Sequence, residues 1–317
     1  MVIKNGIEVE FLLDRIPRLH RFAFWYAWNG FRSPQLLWRL VQFLKKNGAS
    51  ATVRLPNGFP LMIDEKDWIS KTIYEGTYER SLLRFLDSLE LSDFVLDVGA
   101  NIGVTLWHSL RNGTQEAHYR AFEPSTQCLD GLRLTASQVS QKGLISRFAI
   151  GDSNEIRTIY GVDNEAHSGG ASFIQHSGLR GHTESIQVRT LDSVLMDSNS
   201  NSRISMLKID TEGFEEQVIS GATLLLTSQR VEMLIMEVSP NFGNVGYLND
   251  VHRNLGGNYL WFSLDETGCI KRRPFLTRIS LEQSLELLVQ WNLVLIREDI
   301  FRNHVSRRHK FIKQSYP

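Results

Sequence analysis

The stretch Phe94-Val95-Leu96-Asp97-Val98-Gly99-Ala100-Asn101-Ile102-Gly103 constrains the chain more than any other. Phe94, Val95, Leu96 and Val98 make a short apolar, β-branched run of the kind that parallel sheets bury on both faces. Gly99 and Gly103 punctuate a tight turn, and Val104 to Arg111 has the composition and spacing of a helix. A strand, a glycine turn and a helix in that order bring backbone N–H groups and a helix N-terminus to the carboxyl end of the strand. That is where open α/β sheets collect their ligands.

The glycine spacing narrows the ligand. A nicotinamide dinucleotide needs Gly-x-Gly-x-x-Gly so that its pyrophosphate can approach the backbone. Here the spacing is Gly-x-x-x-Gly, with Asn101 where the middle glycine would stand. Asp97 sits at the strand tip, where a carboxylate repels a pyrophosphate and attracts a cation. S-adenosylmethionine offers an ammonium group, a sulfonium and no phosphate. Glu123, in Ala121-Phe122-Glu123-Pro124, ends the next apolar strand 20 residues past Gly103. An acid at that distance accepts hydrogen bonds from both ribose hydroxyls of an adenosine. The glycines alone are as well explained by an ordinary turn; the two acids in register favour S-adenosylmethionine over NAD. An NAD-dependent oxidoreductase is the enzyme alternative.

The chain beyond Gly103 alternates. A helix to Arg111 leads to a strand His118 to Phe122, and a helix from Ser125 leads to a strand Ile145 to Ile150 closed by Gly151-Asp152. Alternation at this spacing implies an α/β fold of the Rossmann type, a mostly parallel sheet with helices on both faces, which carries Asp97, Glu123 and Asp152 to one edge. Ile156 to Val188 reads as β-ribbon and loop; its His167 and His182 are better taken as surface histidines than as bases. Met206, Leu207 and Ile209 form a further strand with Asp210 at its tip, Thr211 and Glu212 in the turn, and a helix from Phe214 to a stop at Gly221. Met233 to Val238 is another strand, with Glu237 near its end. Carboxylates at four strand tips repel one another when buried, which implies a cationic ligand, a metal or a shared proton. A helix Leu248 to Leu255, a strand Tyr259 to Leu264, a helix Ser280 to Trp291 opened by Ser280 and Gln283 at capping-box spacing, and a strand Leu293 to Arg297 at the sheet edge close the unit.

Residues 1–48 read as a separate helical extension, and 49–317 as the main domain. Aromatics crowd Leu19 to Phe31, and Leu36, Leu37, Leu40, Val41 and Leu44 recur at helical spacing. Arg21, Arg32, Arg39 and Gly30 make this piece too charged and too short to span a bilayer. Packing on the main domain or on a second copy, giving a homodimer, is one reading; an amphipathic helix in peripheral contact with a membrane is the other. Lys plus Arg and Asp plus Glu are both 35, so no basic field exists to hold a nucleic acid. Cys128 and Cys269 stand far apart, without disulfide or zinc spacing, and no basic leader precedes a long apolar run. Both features read as cytoplasmic.

With these residues in hand, the chain resembles the FkbM-type methyltransferases, a branch of the class I S-adenosylmethionine-dependent fold, over about residues 72–300. The likeness rests on Gly76-Thr77-Tyr78-Glu79, Val95 to Gly103, Phe122-Glu123-Pro124, Thr190-Leu191-Asp192, Leu207-Lys208-Ile209-Asp210-Thr211-Glu212-Gly213 and Glu237. It implies a seven-stranded sheet whose last strand is antiparallel, and methyl transfer to a hydroxyl oxygen of a sugar, glycan or polyketide-like small molecule. Its motifs add Glu79 and Pro124 to the cofactor-binding set.

On this reading Asp97, Gly99, Asn101 and Gly103 hold the methionine end of the cofactor, Glu123 the ribose, and Asp152 the adenine side. Asp210 lies nearest the methyl group, as base or orienter, with Glu212 and Glu237 beside it; one of the three is the base, or together they hold a divalent ion. The plainer alternative is that Glu212 and Glu237 only cap the helix at Phe214 or bridge to Lys208. A catalytically silent cofactor-binding scaffold is the non-enzyme reading. Trp107, Tyr160, Phe173 and the Gly169-Gly170 loop are candidates to line the acceptor site, though such aromatics are more often core.

Overall fold

The computed structural model describes residues 8–11, 51–55, 58–62, 68–91, 93–111, 118–139, 143–161, 170–174, 182–196, 202–265, 275–287, 290–305 and 312–313. The chain divides into two compact units, Met1–Tyr78 with Glu165–Ser168, and Glu79–Asn164 with Gly169–Pro317.

In the first unit β1 (Glu8–Phe11), β2 (Ala51–Arg54) and β3 (Pro60–Met62) form an antiparallel sheet in that order. Next to the β2–β3 pairing, Leu55 N donates to Phe59 O at 2.9 Å and Gly58 N to Leu55 O at 2.8 Å. Helix α1 (Trp68–Glu75) follows, with Ile69 and Ile73 buried and Trp68 exposed. Glu8–Phe11 is strand where a helical extension was expected. The aromatic and helical stretches expected between Leu19 and Leu44 lie outside the described residues, as do His167 and Gly169.

The second unit opens with α2 (Arg80–Asp87), followed by β4 (Phe94–Val98), α3 (Val104–Leu110), β5 (His118–Phe122), α4 (Thr126–Val139) and β6 (Gly143–Ser146). Then come β7 (Ala149–Ile150), β8 (Glu155–Tyr160), β9 (Thr183–Arg189), α5 (Leu191–Met196), β10 (Ile204–Ile209), α6 (Glu215–Ser220), α7 (Thr223–Thr227) and β11 (Met233–Val238). The chain continues through α8 (Leu248–Leu255), β12 (Tyr259–Asp265), β13 (Phe275–Arg278), α9 (Leu281–Glu286), β14 (Trp291–Arg297) and β15 (Ile312–Lys313).

The main sheet runs β15-β13-β12-β14-β11-β10-β4-β5-β6. Strands β6, β5, β4, β10 and β11 are parallel, and β14 lies antiparallel between β11 and β12. The seven strands expected are therefore there, with β13 and β15 extending the β12 edge. Strand β14 is not at the edge, where the sequence placed it; its residues from Trp291 to Ile296 are buried by a neighbour on each side. The run Ile145 to Ile150 is likewise two strands. Strand β6 ends at Ser146, and β7 joins β9 and β8 in a separate small sheet.

Alternation along β4, β10 and β11 sorts the core into two layers. Val95, Met206, Ile235 and Val294 face Leu82, Phe85 and Leu86 of α2, Leu106 of α3 and Leu132 of α4. Leu96, Leu207, Leu234 and Leu295 face Val194 of α5, Val218 of α6, Leu225 of α7 and Val251 of α8. The parallel strands thus end together at one carboxyl edge, between helices on both faces. The expected capping box of α9 is present: Gln283 N donates to Ser280 Oγ at 3.2 Å, and Ser280 N to Gln283 Oε1 at 2.8 Å.

Candidate functional site

Strand register assembles the site. Asp97 on β4 lies opposite Lys208 on β10, and Lys208 opposite Ile235 on β11. Two residues further toward the carboxyl edge, on the same face, come Gly99, Asp210 and Glu237, and Asn292 of β14 pairs with Glu237. Asp210 N donates to Val98 O at 3.0 Å, which carries the ladder past the end of β10. Gly99 has φ +78°, and a Cβ placed on it would lie 1.7 Å from the Asp210 carbonyl oxygen, so only glycine fits there.

Charge in this corner is unevenly matched. Lys208 is buried and its Nζ donates to Asp210 Oδ2 at 2.8 Å. Burial alone lowers the proton affinity of that ammonium, but the carboxylates of Asp210, Asp97 and Glu79 outweigh it and raise it well above the ordinary lysine value. Asp97 is wholly buried and neither of its oxygens has a hydrogen-bond partner. Burial pushes its carboxyl up to about 6, with Lys208 opposing and Asp210 adding. Glu123 is fixed by the backbone: Asn101 N donates to Oε2 and Ser125 N to Oε1, both at 2.8 Å. Burial still carries it up to about 7 against those two donors.

The turn after β10 is held from two sides. Glu215, the first residue of α6, accepts from Thr211 N at 2.8 Å, Thr211 Oγ1 at 2.9 Å and Gly213 N at 3.3 Å through one oxygen. Between those donors Glu212 takes φ +53°, a left-handed backbone that is strained for a residue with a side chain. Its carbonyl accepts from Ser172 Oγ at 2.8 Å. Ser172 is itself bridged to Tyr160 through backbone hydrogen bonds of 2.9 and 3.1 Å, and the Phe173 ring packs tilted against Phe214, centroids 4.7 Å apart. Burial first, then Asp210 and Glu215, push Glu212 up to about 8. Burial, Asp210 and Glu212 push Glu237 up to about 9, although the Gln290 side-chain amide donates to Glu237 Oε1.

Ser172→Ala removes the hydroxyl that anchors the strained turn and leaves a part-buried carbonyl unpaired. The expected cost is about 1 kcal/mol, read as a fall of roughly 2–4 °C in the thermal midpoint. An unchanged midpoint would mean that the Glu215 contacts alone hold Glu212.

The structure brings together most of the residues that the sequence singled out: Glu79, Asp97, Gly99, Asn101, Glu123, Asp210, Glu212 and Glu237. Glu79 precedes α2 and its charge is felt at Lys208, Glu212 and Glu237. Asn101 has φ +49° and a buried Oδ1 without a partner. Pro124, half-buried, connects Glu123 to Ser125. Gly103 shapes the turn by packing, since a Cβ there would meet Thr135 and Leu132 of α4 at 3.0–3.1 Å. Asp152 is not in the group: it is exposed, follows the small-sheet strand β7 and pairs with Arg157 at 3.1 Å. His182 is exposed and Trp107 is buried within α3.

Helix α6 is braced by Glu215, and Lys208 bridges to Asp210, so the structural duties considered for Glu212 and Glu237 fall to other residues. Sequence reasoning named Lys208 only as a bridge for Glu212 or Glu237, and passed over Glu215 and Ser172. A lysine inside an apolar strand two residues before an acid was a legible signal for Lys208; nothing local marked Ser172. Among the described residues no three His, Cys, Asp or Glu side chains are placed to hold a metal ion.

Among the described residues no helix is long and apolar enough to cross a membrane. No curated protein matches the chain in sequence. Solved structures of similar shape include the precorrin-6y C5,15-methyltransferase from Geobacter metallireducens GS-15, 11% identical, covering 68% of this chain and 88% of that one at a TM-score of 0.34. A SAM-dependent methyltransferase from Agrobacterium tumefaciens is 8% identical, covering 78% and 67% at 0.37. The plantazolicin methyltransferase BamL, in complex with a triazolic desmethylPZN analog and SAH, is 9% identical, covering 72% and 91% at 0.35. At such identities and scores the assignment rests on sequence instead: the family model of the FkbM methyltransferase domain matches residues 97–259, just over half of the chain. That match runs from Asp97 through Glu123, Asp210 and Glu237, and by it the chain belongs to the FkbM methyltransferase family.

Proposed function

We propose that this protein is a cytoplasmic O-methyltransferase that binds S-adenosylmethionine at the carboxylate edge and methylates a hydroxyl of a sugar, glycan or polyketide-like acceptor. The observation that carries the reading is Asp97, a fully buried carboxylate with both oxygens unpartnered. Leaving such a group unpaired is costly, and a ligand ammonium removes the cost. Glu123, oriented by two backbone N–H groups, has lone pairs left for ribose hydroxyls. Gly99 and Asn101 set the turn between them.

The donor, when bound, supplies the activated methyl group. The chain's share is to align the acceptor oxygen and to take its proton, because an alcohol is a weak nucleophile near neutral pH. On this proposal Asp210, engaged by Lys208, orients the acceptor, and Glu237, with the neutral Gln290 amide on it, accepts the proton; those two contacts support the division.

Two measurements bear on this. Glu123→Ala is expected to weaken S-adenosylhomocysteine binding at least tenfold by calorimetry, an order of magnitude set by the loss of a buried charge-assisted contact; unchanged affinity rejects the ribose role. With labelled donor and a panel of monosaccharides, glycans and polyketide alcohols, the label is expected in a methyl ether. Transfer only to nitrogen or carbon acceptors contradicts O-methylation.

A further inference from the structure

We propose that the Glu212–Glu237 pair acts as a charge gauge, surrendering a proton when the sulfonium donor binds and regaining one for the neutral demethylated product, so that only the charged ligand arms the base. The inference rests on the donor reading above and goes beyond it, since it assigns these side chains the task of telling the donor from its own product.

The geometry carries it. Asp210 follows the last residue of β10 and Glu237 the β11 residue paired with it, Ile209 opposite Met236, on parallel strands about 5 Å apart, with Glu212 in the turn just beyond. Among the described residues the groups that act on this pair are Glu79 before α2, Lys208 on β10, Asp210 just after it, Glu215 on α6, Tyr247 in the short helix Val245–Tyr247, and Gln290 before β14, while Asp97 on β4 acts on Lys208 and Glu216 on Tyr247. Among these, Lys208 is the cation, and its Nζ is turned to Asp210. Glu237 has an amide on it, and the carboxyl of Glu212 has the charges of Asp210 and Glu215 against it.

Several acids around one engaged ammonium are not all ionised together in a water-poor corner; the surplus is carried as protons. That agrees with carboxyl groups held above neutrality at Glu212 and Glu237. A second observation points to a ligand cation rather than to protons alone. Asp97, one row behind on the same face, is fully buried with two unsatisfied oxygens, a socket that Lys208 leaves open. A ligand with an ammonium in that socket and a second positive centre toward Asp210 brings its charge to Glu237, and the proton there becomes the surplus. Glu237 then meets the acceptor hydroxyl as a carboxylate. After it has taken that hydroxyl's proton it is neutral again, matched to a ligand whose second charge has gone.

The sign follows from linkage. A ligand that expels a proton binds more tightly as pH rises, by about tenfold per pH unit for one proton released. The sulfonium acidifies the donor's own ammonium relative to the product's, so the titration of each free ligand is measured separately and subtracted before proton release and affinities are compared. The test is calorimetry on the full chain with S-adenosylmethionine and S-adenosylhomocysteine, at pH 6.5 and 8.0 and in buffers of different ionisation enthalpy. The donor is expected to release between half and one proton more than the product. Its affinity advantage is expected to grow by about sixfold to thirtyfold across that interval. Glu237→Gln, isosteric and permanently neutral, is expected to abolish both effects while still binding the product; retention of both in Glu237→Gln and in Glu212→Gln would overturn the proposal. Donor binding with no excess proton release overturns the proposal and leaves the donor reading standing. No binding of either ligand overturns both.

Discussion

Lys208→Met should destabilise the fold by about 3–5 kcal/mol near pH 8, because it strips the cation from a buried group of carboxylates and leaves them uncompensated. The wild-type ammonium is buried, bonds Asp210 at 2.8 Å and faces Asp97 across the ladder. The loss is pH-dependent with a definite sign. Burial already holds Asp97 at about 6, above its ordinary 3.8, and Lys208 is the group pulling it down. Without Lys208 the folded-state value climbs further. An acid whose folded value is raised contributes stability that is present below its unfolded value and lost as pH rises through the folded one. The deficit against wild type is therefore small near pH 4 and grows as pH rises above 6 towards 8. Denaturant melts at these three values check it; a deficit that stays constant with pH would mean that Lys208 acts by packing alone.

Gly99→Ala is the second large effect. The residue sits at φ +78°, and the added methyl carbon would overlap the Asp210 carbonyl oxygen at 1.7 Å. The overlapping atom is backbone, so no side-chain rotation relieves it. Strands β4 and β10 must separate at their carboxyl edge, which takes Asp97 away from Lys208 and Asn101 N away from Glu123. A loss on the order of 3–5 kcal/mol is expected, together with loss of donor binding in whatever folds. Near-native stability with intact binding would show that this turn is not part of the pocket.

Much of this was legible because the local pattern and the tertiary outcome coincide. Phe94 to Val98 reads as a strand buried on both faces and becomes one of the central strands. Glu123, Asp210 and Glu237 stand at or just past strand ends, and the parallel order turns that shared position into a shared edge. What stayed hidden is what a local pattern does not encode. Leu293 to Arg297 announces a strand but not its neighbours, and the antiparallel β14 lies between β11 and β12, where both its edges are paired. Asp152 follows an apolar pair and a glycine just as Asp97 follows an apolar run. Yet β7 belongs to the small sheet, and Arg157, five residues on, claims its carboxylate. Ser172 reaches the Glu212 carbonyl across 40 residues of chain, a contact with no periodic trace. Glu215 lay in plain sight beside Glu216; only the fold shows that its oxygen collects the turn's donors.

The most direct measurement is a calorimetric titration of the purified chain and its Asp97→Asn variant with S-adenosylmethionine. A single site in the wild type and an affinity lower by about tenfold or more in the variant are what an unpartnered buried carboxylate awaiting an ammonium predicts. Equal affinities, or no heat of binding to the wild type at all, would contradict it.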